Sequence, residues 1–330
     1  MSGSGPVPAL ARTCGPAPLP GLAEGDYGVG IDIGGTKTRA TAFNATAAVA
    51  SARRPTQRGA QGILDTAEEV LEQVRRTQPS TAHLRAVGIG IPGVVVPSRG
   101  EVSHGVNVGI GPEPLALGPL LEERLGIGVH VENDVSAATI GAAHALGAGR
   151  DVALVSLGTG LAAGMVLEGV PRTGARGSAG EIGHLPYRLD GLPCPCGQRG
   201  CLELYASGSA LARMWPPTGQ GPLVADLLHR VDEGDTRALD VAQEWLGAVA
   251  HAVTVVGLGV DVATILVAGG VAEAGEPFLQ ALRGTLRNRA HHSDFLSHMD
   301  LASRLRLVPP DLEVATLGAC LAALGAGVGG

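Results

Sequence analysis

Residues 180–203 read GEIGHLPYRLDGLPCPCGQRGCLE, placing His184, Cys194, Cys196 and Cys201 in one short segment flanked by two carboxylates, Glu181 and Glu203. Three thiolates and an imidazole form a donor set suited to tetrahedral Zn²⁺, with no donor missing for an open position. Such a closed site is structural rather than catalytic. Pro193, Pro195, Gly197 and Gly200 let the backbone turn tightly around an ion, and without hydrophobic periodicity the segment owes its shape largely to that ion. The competing reading is free thiols or one disulfide; Cys194 and Cys196 are too close in sequence to pair comfortably, given the Cα separation a disulfide needs. The expected use of the metal is to fix Glu181, His184 and Glu203 so that they face one pocket.

Other residues have the chemistry to meet phosphate. Gly34-Gly35-Thr36-Lys37-Thr38 lies between an expected strand at 27–33 and its hairpin partner at 39–43. Paired glycines let the backbone approach an anion, and threonine hydroxyls and amides donate to phosphate oxygens. The spacing is not that of a Walker loop, and a plain hairpin turn accounts for this stretch equally well on its own. Residues 151–167 repeat the design with Gly158-Thr159-Gly160 between two apolar strands. Two such hairpins in one chain suggest two related lobes clamping one phosphate chain.

Asn133 and Asp134 stand where a strand meets a small-residue helix. Both are natural N-caps, and a carboxylate at such a junction can also be an exposed general base. Gly269-Gly270 after the 262–268 strand leaves room for a nucleotide base or ribose, and a tight strand–helix turn explains it as well. Gly88 to Gly93 satisfies G-x-G-x-x-G formally, but its glycines lie within a strand end and Pro92 followed by VVVP opens no helix, so it is not a dinucleotide site.

GEIGH followed by CPCGQRGCLE resembles the signature of the ROK family (repressors, open reading frames, sugar kinases), and the accompanying motifs extend the resemblance from about Gly28 to the C-terminus. The resemblance implies that His184, Cys194, Cys196 and Cys201 hold zinc and that Glu181, His184 and Glu203 contact a sugar. It further implies sugar contacts from Asn107 and Asn133, and makes Asp134 of the VEND stretch the catalytic base. Asp32, Gly34, Gly35, Thr36 and Lys37 correspond to one phosphate loop, with Asp32 orienting Mg²⁺. Gly158, Thr159 and Gly160 correspond to the other loop, and Gly269 and Gly270 to the adenosine side. The implied fold is α/β, a two-lobed actin-like ATPase (ribonuclease H-like) architecture with a zinc knuckle. The implied reaction is ATP-dependent phosphorylation of a hexose, glucose first. N-acetylmannosamine, N-acetylglucosamine or fructose kinases and a non-catalytic sugar-binding regulator are the alternatives. The chain departs from the pattern at Ala162 and Ala163, where kinases carry glycines, at Val96 in place of Asp, and in lacking a Trp after Asn107.

These residues need a scaffold. At 330 residues the chain exceeds what one core usually supports, and the expected lobes are 27–132 and 133–312, with the zinc knuckle at 184–201. A last helix, about 313–327, is expected to pack back on the first lobe. Aromatics make up only 2% of residues, so Val, Leu, Ile and Ala must build the core. A net charge of −7 argues against a nucleic-acid surface. No run of eighteen apolar residues marks a membrane span. Three of five cysteines are assigned to the metal; Cys14 and Cys320 are expected as reduced thiols, which fits a cytoplasmic location. Residues 1–26, rich in Pro, Gly and Ala, read as a disordered tail too short for a helix-turn-helix domain. The family resemblance implies a homodimer or homotetramer.

Overall fold

The structure, a computed structural model, describes residues 17–217 and 221–325. An antiparallel meander opens the fold: β1 (Asp26–Ile33), β2 (Lys37–Phe43) and β3 (Ala48–Pro55). Helix α1 (Ala60–Arg75) leads to β4 (His83–Ile91), a small hairpin of β5 (Val94–Val96) and β6 (Glu101–Ser103), then α2 (Leu117–Leu125), β7 (Val129–Asn133) and α3 (Asp134–Ala145). A second meander follows in β8 (Val152–Leu157), β9 (Leu161–Leu167) and β10 (Val170–Pro171). Helices α4 (Glu203–Ala206), α5 (Gly208–Met214), α6 (Leu223–Asp232) and α7 (Thr236–Val260) precede β11 (Thr264–Ala268). The chain finishes with α8 (Glu276–Ala290), α9 (Asp294–Met299), β12 (Leu305–Leu307) and α10 (Val314–Ala323).

The two large sheets share one topology. Their orders are β3-β2-β1-β4-β7 and β10-β9-β8-β11-β12, each a three-strand meander extended by two parallel strands beside its first strand. In β4, six consecutive residues are buried, as expected for a parallel strand covered on both faces.

The chain forms two compact units, one comprising 1–150, 166–179 and 313–330, the other 151–165 and 180–312. Helix α3 thus groups with the first unit, whereas the sequence suggested a boundary at 132. The reason is a backbone-to-backbone seam. A Cβ on Gly318 of α10 would lie 1.7 Å from Ala137 O of α3, so the helices touch without side chains between them. The same helix lies on a glycine strip of the sheet: a Cβ on Gly30 would stand 1.7 Å from Thr316 O, and one on Gly88 1.8 Å from Ala319 O. Gly88, the first glycine of the sequence that mimics a dinucleotide fingerprint, therefore serves helix packing.

The expected disordered tail needs correction. Residues 1–16, with Cys14, lie outside the described residues, but Leu19 and Leu22 are buried and the Leu19 N–H donates to Ala45 O at 2.6 Å. Two leucines among the prolines and glycines give this stretch enough apolar surface to dock. Helices α4 and α5 are separated at Ser207, whose hydroxyl caps α5 by accepting the Ala210 N–H at 3.1 Å. Helix α7 has the length and hydropathy to cross a membrane, yet 56% of its most apolar window is buried inside the fold. Its Trp245 is fully buried, with its ring 5.8 Å from that of Phe278.

Candidate functional site

In the first unit, strand register assembles an acidic sheet edge. Asp32 pairs with Gly90, Gly90 with Glu132, and Ile91 with Asn133, so Asp32 and the Asn133-Asp134 step end up at the carboxyl ends of parallel strands. Open α/β sheets bind ligands at that edge. A Cβ on Gly90 would lie 3.6 Å from Asp134 Cα, so the glycine admits the start of α3. Burial, then the nearby charge of Asp134, pushes Asp32 up to about 6, against the opposing pull of Arg39. Arg39 is the cross-strand partner of Asp32 and forms an ion pair with Glu313 at the start of α10. Asp134 is the first residue of α3, and its carboxylate accepts the Val135 N–H at 2.9 Å.

Asn133 is the N-cap of α3. Its Oδ1 accepts from the Val135 and Ser136 amides, and Nδ2 donates to Gly93 O at 3.1 Å. Capping thus accounts for most of its hydrogen-bonding capacity, leaving one N–H for a ligand. Asn107 is exposed in the 3₁₀ turn Val106–Val108, and a Cβ on Gly35 would lie 3.2 Å from its carbonyl oxygen. The Asn107 loop therefore rests on the first glycine turn. In that turn the Gly34 N–H donates to Lys37 O at 2.9 Å, and the Thr36 and Lys37 side chains are exposed.

In the second unit the predicted metal ligands converge. The donor atoms of His184, Cys194, Cys196 and Cys201 all lie within 4.8 Å of one another. Cys196 and Cys201 sulfurs are 3.6 Å apart, and Cys194 Sγ is 3.9 Å from His184 Nδ1. An ion about 2.3 Å from each sulfur would set tetrahedral sulfurs roughly 3.8 Å apart, so the cluster has the size and soft donors for Zn²⁺. Burial pushes the Cys194 thiol up to about 12, while the Gln198 backbone N–H draws Cys196 down to about 7. A bound cation would hold all three as thiolates.

With His184 Nδ1 turned to the sulfurs, its Nε2 lies 4.0 Å from Glu181 Oε2, and Glu203 Oε1 is 3.7 Å from Nδ1. The three polar side chains predicted to contact a sugar are thus gathered at the knuckle. Positive φ at Gly180 (+95°) permits this geometry; a Cβ there would fall 1.8 Å from Ala163 O. Tyr205 accepts the Leu192 N–H at 2.9 Å under the Arg188 guanidinium, and Tyr187 stacks against His251 of α7. His251 is a packing residue, not a ligand.

The 158–160 turn closes through a Gly158 N–H to Gly160 O bond of 3.1 Å. Ala162 and Ala163 lie beyond it within β9, and neither has positive φ, so their methyl groups impose no backbone strain. Gly158, Thr159 and Gly270 line one cavity of about 420 Å³ together with Ser209, Leu211 and Leu223. Gly269, at φ +93°, instead packs on Leu157 O as a tight turn.

The ROK family profile matches residues 28–307. This chain belongs to the ROK family. A glucokinase of Halalkalibacterium halodurans is 32% identical over 279 residues, covering 77% of this chain and 83% of the relative. An N-acetylmannosamine kinase of Citrobacter koseri is 29% identical over 260 residues, covering 77% of this chain and 86% of the relative. The crystal structure of a ROK glucokinase from Streptomyces griseus with glucose and AMPPNP superposes with a TM-score of 0.72 at 29% identity, covering 90% of this chain and 99% of that one.

Sequence reasoning missed two supports of this ROK site. Thr56, at the end of β3, donates from its hydroxyl to Gly34 O at 2.7 Å and from its amide to Thr36 O at 3.1 Å. Gly208, at the start of α5, donates its N–H to Gly158 O at 2.8 Å. Neither belongs to a motif, and no spacing in the sequence singles either out.

Proposed function

We propose that this ROK-family sugar kinase transfers the γ-phosphoryl group of ATP to the primary hydroxyl of a hexose, glucose in the first instance. The observation that carries the reading is the pair of carboxylates, Asp32 and Asp134, brought to one sheet edge by strand register. Asp134 takes the proton of the attacking hydroxyl, a task that suits an ionised carboxylate at a helix N-terminus. Asn107, the remaining N–H of Asn133, Glu181, His184 and Glu203 hold other sugar hydroxyls, so a sugar of the wrong stereochemistry leaves polar groups unpaired. Amides of Gly34, Gly35, Thr36, Gly158, Thr159 and Gly160 and the Lys37 ammonium meet the phosphates, and Gly269 and Gly270 lie on the adenosine side.

Asp32 is a hard oxygen donor suited to Mg²⁺, which, when bound, neutralises charge on the transferring phosphates. Zn²⁺ at His184, Cys194, Cys196 and Cys201 supplies shape rather than chemistry. Against a non-catalytic sugar-binding regulator, the reading is supported by the ordinary strand backbone of Ala162 and Ala163 in β9. Coupled ADP release with Mg-ATP across glucose, N-acetylmannosamine, N-acetylglucosamine and fructose tests the reading. Sugar-dependent turnover with glucose preferred is expected; preference for another hexose reassigns the substrate, and no turnover with any sugar overturns the kinase reading. Light scattering checks the expected homodimer or homotetramer.

A further inference from the structure

The Cys₃His segment meets the 158–160 turn at four places. Ala163 donates its N–H to Gly180 O at 2.8 Å, and Gly208 donates to Gly158 O at 2.8 Å. A Cβ on Gly183 would lie 2.2 Å from Leu161 O, so the 3₁₀ turn at Ile182–His184 presses directly on the strand leaving the turn. Glu203 makes the fourth contact, and it faces two ways. Its Oε1 is 3.3 Å from Cys194 Sγ and 3.7 Å from His184 Nδ1, while Oε2 is 3.1 Å from where a Cβ on Gly160 would stand. A single carboxylate therefore fills the space between the metal ligands and the glycine turn, and its own backbone starts the short helix that ends at Ser207, one residue before Gly208.

We propose that Glu203 is a positioning residue for the 158–160 turn, so that occupancy of the Cys₃His site sets the affinity of this turn for the phosphates of a nucleotide. The proposal rests on reading 158–160 as a phosphate loop and adds to the sugar-contact role of Glu203. The knuckle has little apolar burial of its own: Leu189 is 83% exposed and Leu185 and Leu192 about as open as surface residues. Its shape is therefore set mainly by its ligands. When they are not held together, the four contacts lose a common frame and the turn samples conformations that do not present its amides together. Linkage then demands reciprocity: if the metal tightens nucleotide binding, the nucleotide must tighten metal binding by the same factor.

The experiment uses ADP as probe and the intact protein. ADP affinity is measured by calorimetry on the zinc-loaded chain and after chelation. Zn²⁺ affinity is measured by competition against a chromophoric chelator with and without ADP, correcting for zinc held by ADP itself. A drop of about tenfold in ADP affinity on zinc removal, matched by about tenfold tighter Zn²⁺ with ADP present, is expected. Glu203→Ala should keep zinc and abolish that mutual effect. Zinc affinity indifferent to ADP would overturn the proposal even if the stripped chain unfolds, because ADP that binds the folded chain would then still have to tighten zinc by linkage. Failure of the loaded chain to bind ADP at all would overturn both the proposal and the phosphate-loop reading beneath it, which separates the two kinds of failure. An unchanged mutual effect in Glu203→Ala would remove Glu203 from the role.

Discussion

The turn at 34–37 is held by its own sheet: Thr56 donates to Gly34 and Thr36, and the Thr56 and Thr38 hydroxyls meet at 2.9 Å. The turn at 158–160 has the same place in the same strand order, yet its supports come from residues 180–208, through Gly180, Gly183, Glu203 and Gly208. One turn is hydrogen-bonded by neighbouring strands, with the Asn107 loop resting on it. The other needs a segment whose 184–192 stretch leaves Leu185, Leu189 and Leu192 exposed and which gathers the four side chains of the candidate metal site. Equal topology thus hides unequal robustness, and the second turn should fail first when the protein is perturbed.

The largest effect is expected from Gly180→Ala. Its positive φ and the 1.8 Å approach to Ala163 O leave no room for a methyl group, so a loss of about 3 kcal/mol is expected in denaturant titration. Zinc content should fall with it, while the first turn stays formed; a variant as stable as wild type would erase the contrast between the turns.

Asp32→Asn tests the first turn electrostatically. The folded-state pKa of about 6 lies above the ordinary carboxylate value of 3.8, so between these values the folded protein holds a proton that the unfolded chain has lost. The contribution of Asp32 to stability is therefore fully present below about pH 4 and is lost as pH rises through about 6. The Asn variant should melt at a higher temperature than wild type at pH 8, the gain shrinking toward pH 4, while turnover is lost. A gain that grows on acidification would contradict the assigned burial and Asp134 repulsion.

Thr56→Val removes the hydroxyl brace at a cost of about 1 kcal/mol, seen as roughly a fivefold rise in KM for ATP with KM for sugar unchanged. The smallest effect belongs to Ala162→Gly and Ala163→Gly. Because both alanines already sit in ordinary strand conformation, restoring glycine should leave kcat unchanged and cost about 0.5–1 kcal/mol of stability. A large gain in kcat would show that the methyl groups do crowd the phosphates.

The Cys₃His cluster was legible because sulfur and imidazole spacing is itself a chemical statement, and both glycine turns because paired strands bracket them. The glycine strip of β1 and β4 was visible only as a false dinucleotide motif; its partner, the backbone of α10, lies more than two hundred residues away. The same distance hid the grouping of α3 with the first unit. Leu19 was overlooked because a Pro- and Gly-rich composition outweighed two apolar side chains, and Thr56 because a single hydroxyl has no pattern. Asn133 carried both readings from the start, and the structure shows its capping bonds directly.

The central claim, that Asp134 removes the proton in phosphoryl transfer to a sugar, is tested most directly by Asp134→Asn in a single-turnover assay with Mg-ATP and the preferred hexose. The account predicts a rate lowered by about a hundredfold or more, with ADP and sugar affinities and the melting temperature close to wild type. Transfer at the wild-type rate with the same bound sugar would show that Asp134 serves as the first residue of α3 and nothing more.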